Sequence, residues 1–164
     1  MIKKNTAKSK KMNLNPSQPI TIDFDADELE KISQLKVLIA EDNLLNQKLL
    51  IMMLKKLNLN ADLVENGLEA VEMANKNNYD LILMDISMPE MDGIEAAKII
   101  LSAKNRVNPK IVAVTAFDDQ ETKRDCYDAG MEFLISYPVN IINIKEMLKK
   151  CFISKHLHFH KSAL

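Results

Sequence analysis

The chain has 164 residues, of which 47% are hydrophobic and 27% are charged, so it is long enough for one domain with a core and some tail. Its net charge of -1 at pH 7 argues against whole-protein attraction to nucleic acid or to an anionic membrane surface. The only cysteines, Cys126 and Cys151, lack metal or redox spacing, which excludes a disulfide scaffold and suits a reducing compartment. No apolar run in the sequence is long enough to span a bilayer and no signal peptide is evident, so we expect a cytoplasmic protein without membrane insertion.

Residues 1–35 are expected to form a flexible, charged N-terminal tail. Lysines crowd its start, acidic residues follow Pro16 and Pro19, and few apolar side chains are available to offset the entropy of ordering. The basic block is interpreted as a solvated segment rather than as a site for an acidic partner. Within this tail, residues 25–35 are a candidate for a short helix that leads into a domain over residues 36–151.

From Lys36 onward, apolar runs alternate with segments of helical periodicity. Three continuous runs rich in Val, Ile and Leu and two weaker ones predict five strands, at 36–40, 60–66, 81–84, 110–115 and 132–136. The intervening segments carry apolar stripes at helical spacing, although the helix predicted over 118–129 has few large apolar residues and ends at Gly130. Alternating strands and helices predict a single doubly wound α/β domain, with a five-stranded parallel sheet and helices on both faces.

Acidic side chains follow two of these strands at the point where each strand ends. Glu41 and Asp42 come after the first strand, and Asp85 comes after the third. In such sheets the working residues gather at the carboxyl ends of the strands, so three carboxylates meet if these two strands are neighbours. Their repulsion raises at least one pKa, and a small hard cation relieves it. We therefore predict a site for Mg²⁺ (or Mn²⁺) formed by Glu41 through water, Asp42, Asp85 and the backbone carbonyl of Ser87.

A metal held in this way suits phosphoryl chemistry, because it neutralises charge as the phosphoryl group arrives. Asp85 would then be a nucleophile that forms an acyl phosphate. Thr115, at the end of the fourth strand, would donate its hydroxyl to a phosphoryl oxygen, with the backbone amide of Ala116 beside it. Each feature alone has a structural explanation as a solvated turn, a turn cap or an ordinary strand residue. Their joint placement at three strand ends is what favours the functional interpretation.

Five segments of the chain resemble the receiver domain of two-component response regulators, most closely the receivers of hybrid histidine kinases. They follow the family's order and spacing: VLIAEDNLLNQ at 37–47, ENGLEA at 65–70, YDLILMDISMPEMDGIEA at 79–96, IVAVTA at 111–116 and DAGM at 128–131. The resemblance implies a flavodoxin-like strand order 2-1-3-4-5 and a signalling domain rather than an enzyme. It implies Asp85 as phosphoacceptor, Glu41 and Asp42 as metal ligands, and Thr115 as the switch hydroxyl. A phosphohistidine on a sensor histidine kinase or a histidine phosphotransfer protein would be the donor.

Two positions near the end of the fifth strand depart from the family pattern. Where the family has a lysine followed by proline, this chain has Tyr137 and Pro138, so a neutral hydroxyl replaces an ammonium group. The family's aromatic switch position is Leu134, and the neighbouring Phe133 should point to the other face of the strand. A charge-assisted hydrogen bond contributes ~1.5–3 kcal/mol against ~1 kcal/mol for a neutral one. We therefore expect weaker coupling between the phosphoryl group and loop movement.

These observations leave two functions of different kinds. The preferred one is a phosphoacceptor in a phosphorelay, which the intact acidic residues and Thr115 favour. The alternative is a degenerate receiver that binds a protein partner without phosphorylation, which Tyr137 and Leu134 favour. An unrelated enzyme has little support, because the chain's 3 glycines cannot supply a glycine-rich phosphate loop and no nucleophile–base pairing is evident.

Residues 152–164 are expected to form a C-terminal tail or an extension of the last helix. In an extended tail, His156, His158 and His160 would share one side and could hold Zn²⁺, but a loosely docked tail is the simpler interpretation. An apolar helix extension would instead permit a homodimer. Since too few residues follow for a DNA-binding domain, we expect output through a downstream protein target or by onward transfer of phosphate, with no nucleic-acid partner.

Overall fold

The structure is a computed structural model and describes residues 22–104 and 107–153. Strands and helices alternate along this part of the chain after a first helix. In chain order they are α1 (Ala26–Ser33), β1 (Val37–Ala40), α2 (Leu44–Lys55), β2 (Ala61–Val64), α3 (Gly67–Lys76), β3 (Leu81–Met84), α4 (Gly93–Ser102), β4 (Lys110–Thr115), α5 (Gln120–Asp128), β5 (Phe133–Ser136) and α6 (Ile141–Leu148). A π-helical turn, Lys149–Ile153, continues α6.

The strands form one parallel sheet in the order β2-β1-β3-β4-β5, which confirms the predicted α/β fold and strand order. The order reverses between β1 and β3, so these two strands flank the topological switch point of the sheet. In their register Ala40 pairs with Met84, the last residue of each strand. The residues that follow the two strands therefore leave the sheet side by side, at the edge where ligands bind in such folds.

Both faces of the sheet are covered, which explains why the central strands are continuous apolar runs. In β3, Leu83 belongs to a core cluster with side chains of α2 and α6, whereas Ile82 belongs to a second cluster with side chains of α3 and α4. All four residues of β1 and of β3 are buried. The helix predicted over 118–129 is indeed thinly packed, since Cys126 is the buried residue of α5.

Each helix of the described chain begins after an Asp or Asn whose side chain accepts a hydrogen bond from the first helical turn. These N-caps are Asp25, Asn43, Asn66, Asp92, Asp119 and Asn140. Most of them follow a strand or its loop closely, so the same short polar residues end the extended segment and start the helix. Gly130 has a φ of +90°, as predicted for the residue that ends α5.

Helix α1 shows that the predicted domain limit at residue 36 is too late. A capping box between Asp25 and Glu28 stabilises the start of this helix, and Ile32 is fully buried in the core cluster beside α2 and α6. Glu28 pairs with Lys149 at 3.4 Å, which ties α1 to the end of α6. The short helix anticipated over 25–35 is therefore present and is part of the packed domain rather than of a flexible tail.

Several predictions concern residues outside the part of the chain that the structure describes. They include the basic segment before residue 22 and the alternating His156, His158 and His160. At the C-terminal side, Phe152 and Ile153 pack partly against the core, so the helical extension reaches at least this point. Within residues 22–104 and 107–153, no helix is both long and apolar enough to cross a membrane.

Candidate functional site

The acidic residues predicted from the strand ends lie together in the structure. Glu41, Asp42 and Asp85 each place a carboxylate oxygen within 4.8 Å of the others. The pairing of β1 with β3 produces this arrangement, and the amide of Asp85 donates to the Ala40 carbonyl at 2.8 Å just beyond the strands. Glu41 is only 1% exposed, Asp42 is exposed and Asp85 is partly buried. We call these three residues the acidic pocket.

The loop between β3 and α4 folds back tightly over Asp85. The amide of Ser87 donates to Asp85 Oδ1 at 3.3 Å, and the amide of Gly93 donates to the Ile86 carbonyl at 2.9 Å. A Cβ on Gly93 would lie 2.0 Å from the Asp85 carbonyl oxygen, so only glycine fits here. Sequence reasoning missed this role, although the signal was present in a rare glycine shortly after the acidic strand end. The role of the Ser87 carbonyl as a metal ligand stays a prediction.

Glu41 is held by hydrogen bonds at both carboxylate oxygens. Oε1 accepts from the amide of Asn43 at 3.0 Å and from Asn46 Nδ2 at 3.2 Å, both in or next to the first turn of α2. Gln47 Nε2 donates to the backbone carbonyl of Glu41 at 2.7 Å. Oε2 accepts from the hydroxyl of Tyr137 at 2.7 Å. Both oxygens of this almost fully buried carboxylate therefore have donors, which hold it in one orientation beside the two other acidic groups.

Tyr137 reaches the acidic pocket from the end of β5. Its amide donates to the Thr115 carbonyl at 2.8 Å, and the peptide bond to Pro138 is cis. Burial, the hydrogen bond to Glu41 and the charges of Glu41 and Asp85 raise the pKa of Tyr137, so its hydroxyl remains a protonated donor at neutral pH. The hydrogen bond to Glu41 was not predicted, since the partners are 96 positions apart and sequence spacing carries no signal for it.

The acidic pocket holds uncompensated negative charge. The pKa of Asp85 is raised to about 6, first by burial and then by the charge of Glu41, with Asp42 adding to the effect and the amides of Ser87 and Ile86 opposing it. Within the described residues, no ion pair includes any of the three carboxylates. Clustered carboxylate oxygens without a cationic neighbour are a donor set that suits a hard divalent cation such as Mg²⁺.

The remaining predicted residues lie at the end of β4 and in the first half of β5. Thr115 is fully buried, and its Oγ1 accepts from the amide of Phe117 at 3.1 Å. Ala116 is exposed beside it. Phe133 and Leu134 pack on opposite faces of the sheet, as strand alternation predicts, and Leu134 contacts the cluster beside α3 and α4. The roles of Thr115 and Ala116 toward a phosphoryl group stay predictions.

Comparison with known proteins agrees with this fold. The pattern of the family described as response regulator receiver domain matches residues 37–149. The chain is 38% identical to Probable histidine kinase 1 of Oryza sativa subsp. indica over 146 residues, which cover 70% of this chain and 15% of that protein. It is 36% identical to Hybrid signal transduction histidine kinase K of Dictyostelium discoideum over 121 residues, which cover 70% of this chain and 10% of that protein. The chain thus spans a small part of the length of these relatives.

Two solved structures extend the comparison. The receiver domain of a sensor histidine kinase from Pseudomonas aeruginosa PAO1, solved with a magnesium ion coordinated in its active site cleft, is 33% identical, with a TM-score of 0.66 and coverage of 71% of this chain and 95% of that one. A Saccharomyces cerevisiae structure of the histidine phosphotransfer protein Ypd1 with the receiver domain of its downstream response regulator Ssk1 matches at 31% identity. Its TM-score is 0.66, and the match covers 77% of this chain and 94% of that one.

A parallel sheet with carboxylates at its switch point defines a doubly wound domain with a candidate metal pocket. The chain belongs to the response regulator receiver family. It is therefore a receiver domain of the two-component and phosphorelay systems, a signalling domain rather than an enzyme, as the sequence motifs predict.

Proposed function

We propose that this receiver is a working phosphoacceptor, in which Asp85 takes a phosphoryl group from a phosphohistidine with the help of Mg²⁺. The observation that carries the proposal is the convergence of Glu41, Asp42 and Asp85 within 4.8 Å of one another. The raised pKa of Asp85 supports it, because the raised value reflects burial and repulsion from the neighbouring carboxylates. A bound cation would offset that repulsion. The magnesium-bound receiver from Pseudomonas aeruginosa, whose fold this chain shares, is consistent with the same use of the pocket.

In this proposal the residues of the chain divide the work of phosphoryl transfer. Asp42 and Asp85 would hold the metal, Glu41 would act through water, and the Ser87 carbonyl would complete the protein's donors. When bound, Mg²⁺ supplies charge neutralisation for the incoming phosphoryl oxygens. An Asp85 oxygen attacks phosphorus, the bond from phosphorus to the histidine nitrogen breaks, and the nitrogen leaves with the electron pair. The Thr115 hydroxyl and the Ala116 amide lie at the end of β4, where they would donate to phosphoryl oxygens.

The donor is proposed to be a sensor histidine kinase or a histidine phosphotransfer protein. The named relatives are histidine kinases, and the yeast receiver is one solved with a phosphotransfer protein. Output is proposed to pass by contact with a downstream protein.

Intact-mass spectrometry after incubation with Mg²⁺ and phosphoramidate or acetyl phosphate tests the proposal. We expect the wild-type chain to gain the mass of one phosphoryl group, and Asp85→Asn to gain none. Asp128→Asn is the matched control, because it makes the same change on an exposed residue of α5, outside the acidic pocket. If the wild-type protein stays unmodified under conditions in which a reference receiver reacts, the phosphoacceptor function is ruled out.

A second candidate function, a receiver that binds its partner without phosphorylation, is favoured by one contact. The Tyr137 hydroxyl is engaged by Glu41 rather than by Asp85, so the residue at the family's lysine position is already paired within the pocket. A conformational response needs a contact that differs between the two states. This function predicts equal affinity of the downstream partner for wild type and Asp85→Asn, whether or not phosphoryl donor is present. A clear preference for phosphorylated wild type would exclude it.

A further inference from the structure

Among the residues that the structure describes, every donor that contacts the Glu41 carboxylate is electrically neutral. They are the Tyr137 hydroxyl, the backbone amide of Asn43 and the side-chain amide of Asn46. These hydrogen bonds fix the direction of the carboxylate and satisfy its oxygens, but they leave its negative charge uncancelled. The charges of Asp42 and Asp85 lie within the same 4.8 Å cluster, and no ion pair of the described residues includes them.

Residue 137 is placed firmly beside this cluster by the backbone. Its amide is bonded to the Thr115 carbonyl at 2.8 Å, just beyond the pairing of Thr115 with Ser136. A side chain at this position therefore points from the end of β5 toward the acidic pocket, as the 2.7 Å contact with Glu41 shows. The chemical nature of residue 137 consequently determines whether the pocket contains an internal positive charge.

We propose that Tyr137 makes this pocket a stronger divalent-cation site than it would be with a lysine, an inference that rests on the proposed metal-binding role of the pocket. An ammonium at residue 137 would neutralise part of the carboxylate charge and would repel a divalent ion nearby. The tyrosine hydroxyl contacts Glu41 without that repulsion. Because the Tyr137 side chain is neutral, it leaves the negative charge of the pocket to the metal ion.

Isothermal titration calorimetry of Mg²⁺, and separately of Mn²⁺, without any phosphoryl donor tests this inference. We expect Tyr137→Lys to weaken binding about tenfold or more, as repulsion between nearby charges in a partly solvated pocket implies. Tyr137→Phe keeps the pocket free of positive charge and should bind within about threefold of wild type. Val107→Lys adds the same charge to a residue that is 91% exposed and lies just before β4, at the end of the strands away from the pocket. This variant should bind the metal like wild type.

Two further readouts separate charge from a general structural effect. In EDTA, Tyr137→Lys should unfold at a higher temperature than wild type, because its ammonium pairs with the carboxylates, although its metal affinity is lower. The affinity difference between the two proteins should also shrink as NaCl concentration rises. A destabilised Tyr137→Lys protein whose affinity deficit is independent of salt would contradict the inference.

The outcomes distinguish this inference from the proposed function. Equal Mg²⁺ affinity of wild type and Tyr137→Lys, with Asp85 still phosphorylated, would overturn the inference alone. A Tyr137→Phe loss as large as that of Tyr137→Lys would also overturn it, since the hydrogen bond rather than the charge would then set affinity. The expected affinity order in a chain that accepts no phosphate would support the inference and overturn the phosphoacceptor role.

Discussion

The α-carbon of Gly93 lies against the backbone of Asp85, so closely that a Cβ at this position would be 2.0 Å from the Asp85 carbonyl oxygen. The backbone of Gly93, the first residue of α4, is therefore in direct contact with the backbone of Asp85, the candidate phosphoacceptor. The orientation of Asp85 depends on this contact, because the loop between them has no room to shift without moving the strand end.

Replacing Gly93 with alanine should damage both folding and the acidic pocket. The added methyl group forces the backbone of the loop away from Asp85, and we expect unfolding free energy to fall by about 2–4 kcal/mol. Phosphorylation by a small-molecule donor should slow in the fraction that remains folded. Urea unfolding and intact-mass kinetics measure the two effects. Lys98→Ala, on the exposed side of the same helix, is the control and should change neither.

The stability of the metal-free protein should depend on the ionisation of Asp85. Its folded-state pKa of about 6 lies above the usual value of 3.8, so the folded state binds the proton more tightly than the unfolded state does. The stabilisation from protonated Asp85 is fully present below the unfolded pKa and is lost as pH rises through about 6. At pH 7.5 in EDTA, Asp85→Asn should therefore be more stable than wild type, by about 1–2 kcal/mol after allowance for solvent screening.

The comparison of wild type with Asp85→Asn across pH isolates this group from the other carboxylates. The advantage of the variant should shrink as pH is lowered toward 4.5, as followed by urea denaturation at each pH. Addition of Mg²⁺ at pH 7.5 should stabilise wild type and leave the variant nearly unchanged, since a bound ion stabilises only the state that binds it. An Asp85→Asn protein less stable than wild type in EDTA at neutral pH would show that the pocket carries no repulsion.

Removing the Tyr137 hydroxyl should cost stability because Glu41 is buried. Tyr137→Phe leaves one oxygen of a carboxylate that is 1% exposed without its donor, and we expect a loss of about 1–3 kcal/mol. Tyr127→Phe removes a hydroxyl from a side chain that is 55% exposed and is the matched control, with an expected change near zero. Equal effects of the two substitutions in chemical denaturation would mean that the hydrogen bond to Glu41 contributes nothing.

Helix α1 should contribute measurably to the stability of the domain. Ile32→Ala opens a cavity at a fully buried position and should lower the unfolding free energy by about 2–4 kcal/mol. Leu29→Ala alters the same helix at a position that is 38% exposed, and its cost should be clearly smaller. Thermal unfolding followed by circular dichroism compares the two variants. A negligible effect of Ile32→Ala would mean that α1 detaches from the rest of the domain.

The acidic pocket could be predicted from the sequence because it depends on topology rather than on side-chain detail. Once β1 and β3 are neighbours in a parallel sheet, Glu41, Asp42 and Asp85 must leave it at the same edge. The hydrogen bond from Tyr137 to Glu41 could not be predicted in this way. It depends on the direction of a side chain at the end of an outer strand, and the pocket offers that side chain three carboxylates as possible partners.

Two other features were hidden for different physical reasons. Helix α1 has a charged sequence with a single buried residue, Ile32, so its composition resembles that of a solvated segment. Only the apolar surface offered by α2 and α6 makes the helix part of the core. The close approach at Gly93 depends on the path of the whole loop after Asp85, and a glycine in a turn is equally compatible with ordinary backbone freedom.

The packing of α1 means that the family pattern and the packed domain begin at different residues. The pattern begins at residue 37, whereas the buried side chain of Ile32 lies before it. The ion pair between Glu28 and Lys149 joins a residue before the pattern to the last residue within it. A protein trimmed to the pattern would expose the apolar surface that α1 covers. In a longer polypeptide, tension or rearrangement in the segment upstream would be transmitted through α1 directly to the last helix of the receiver.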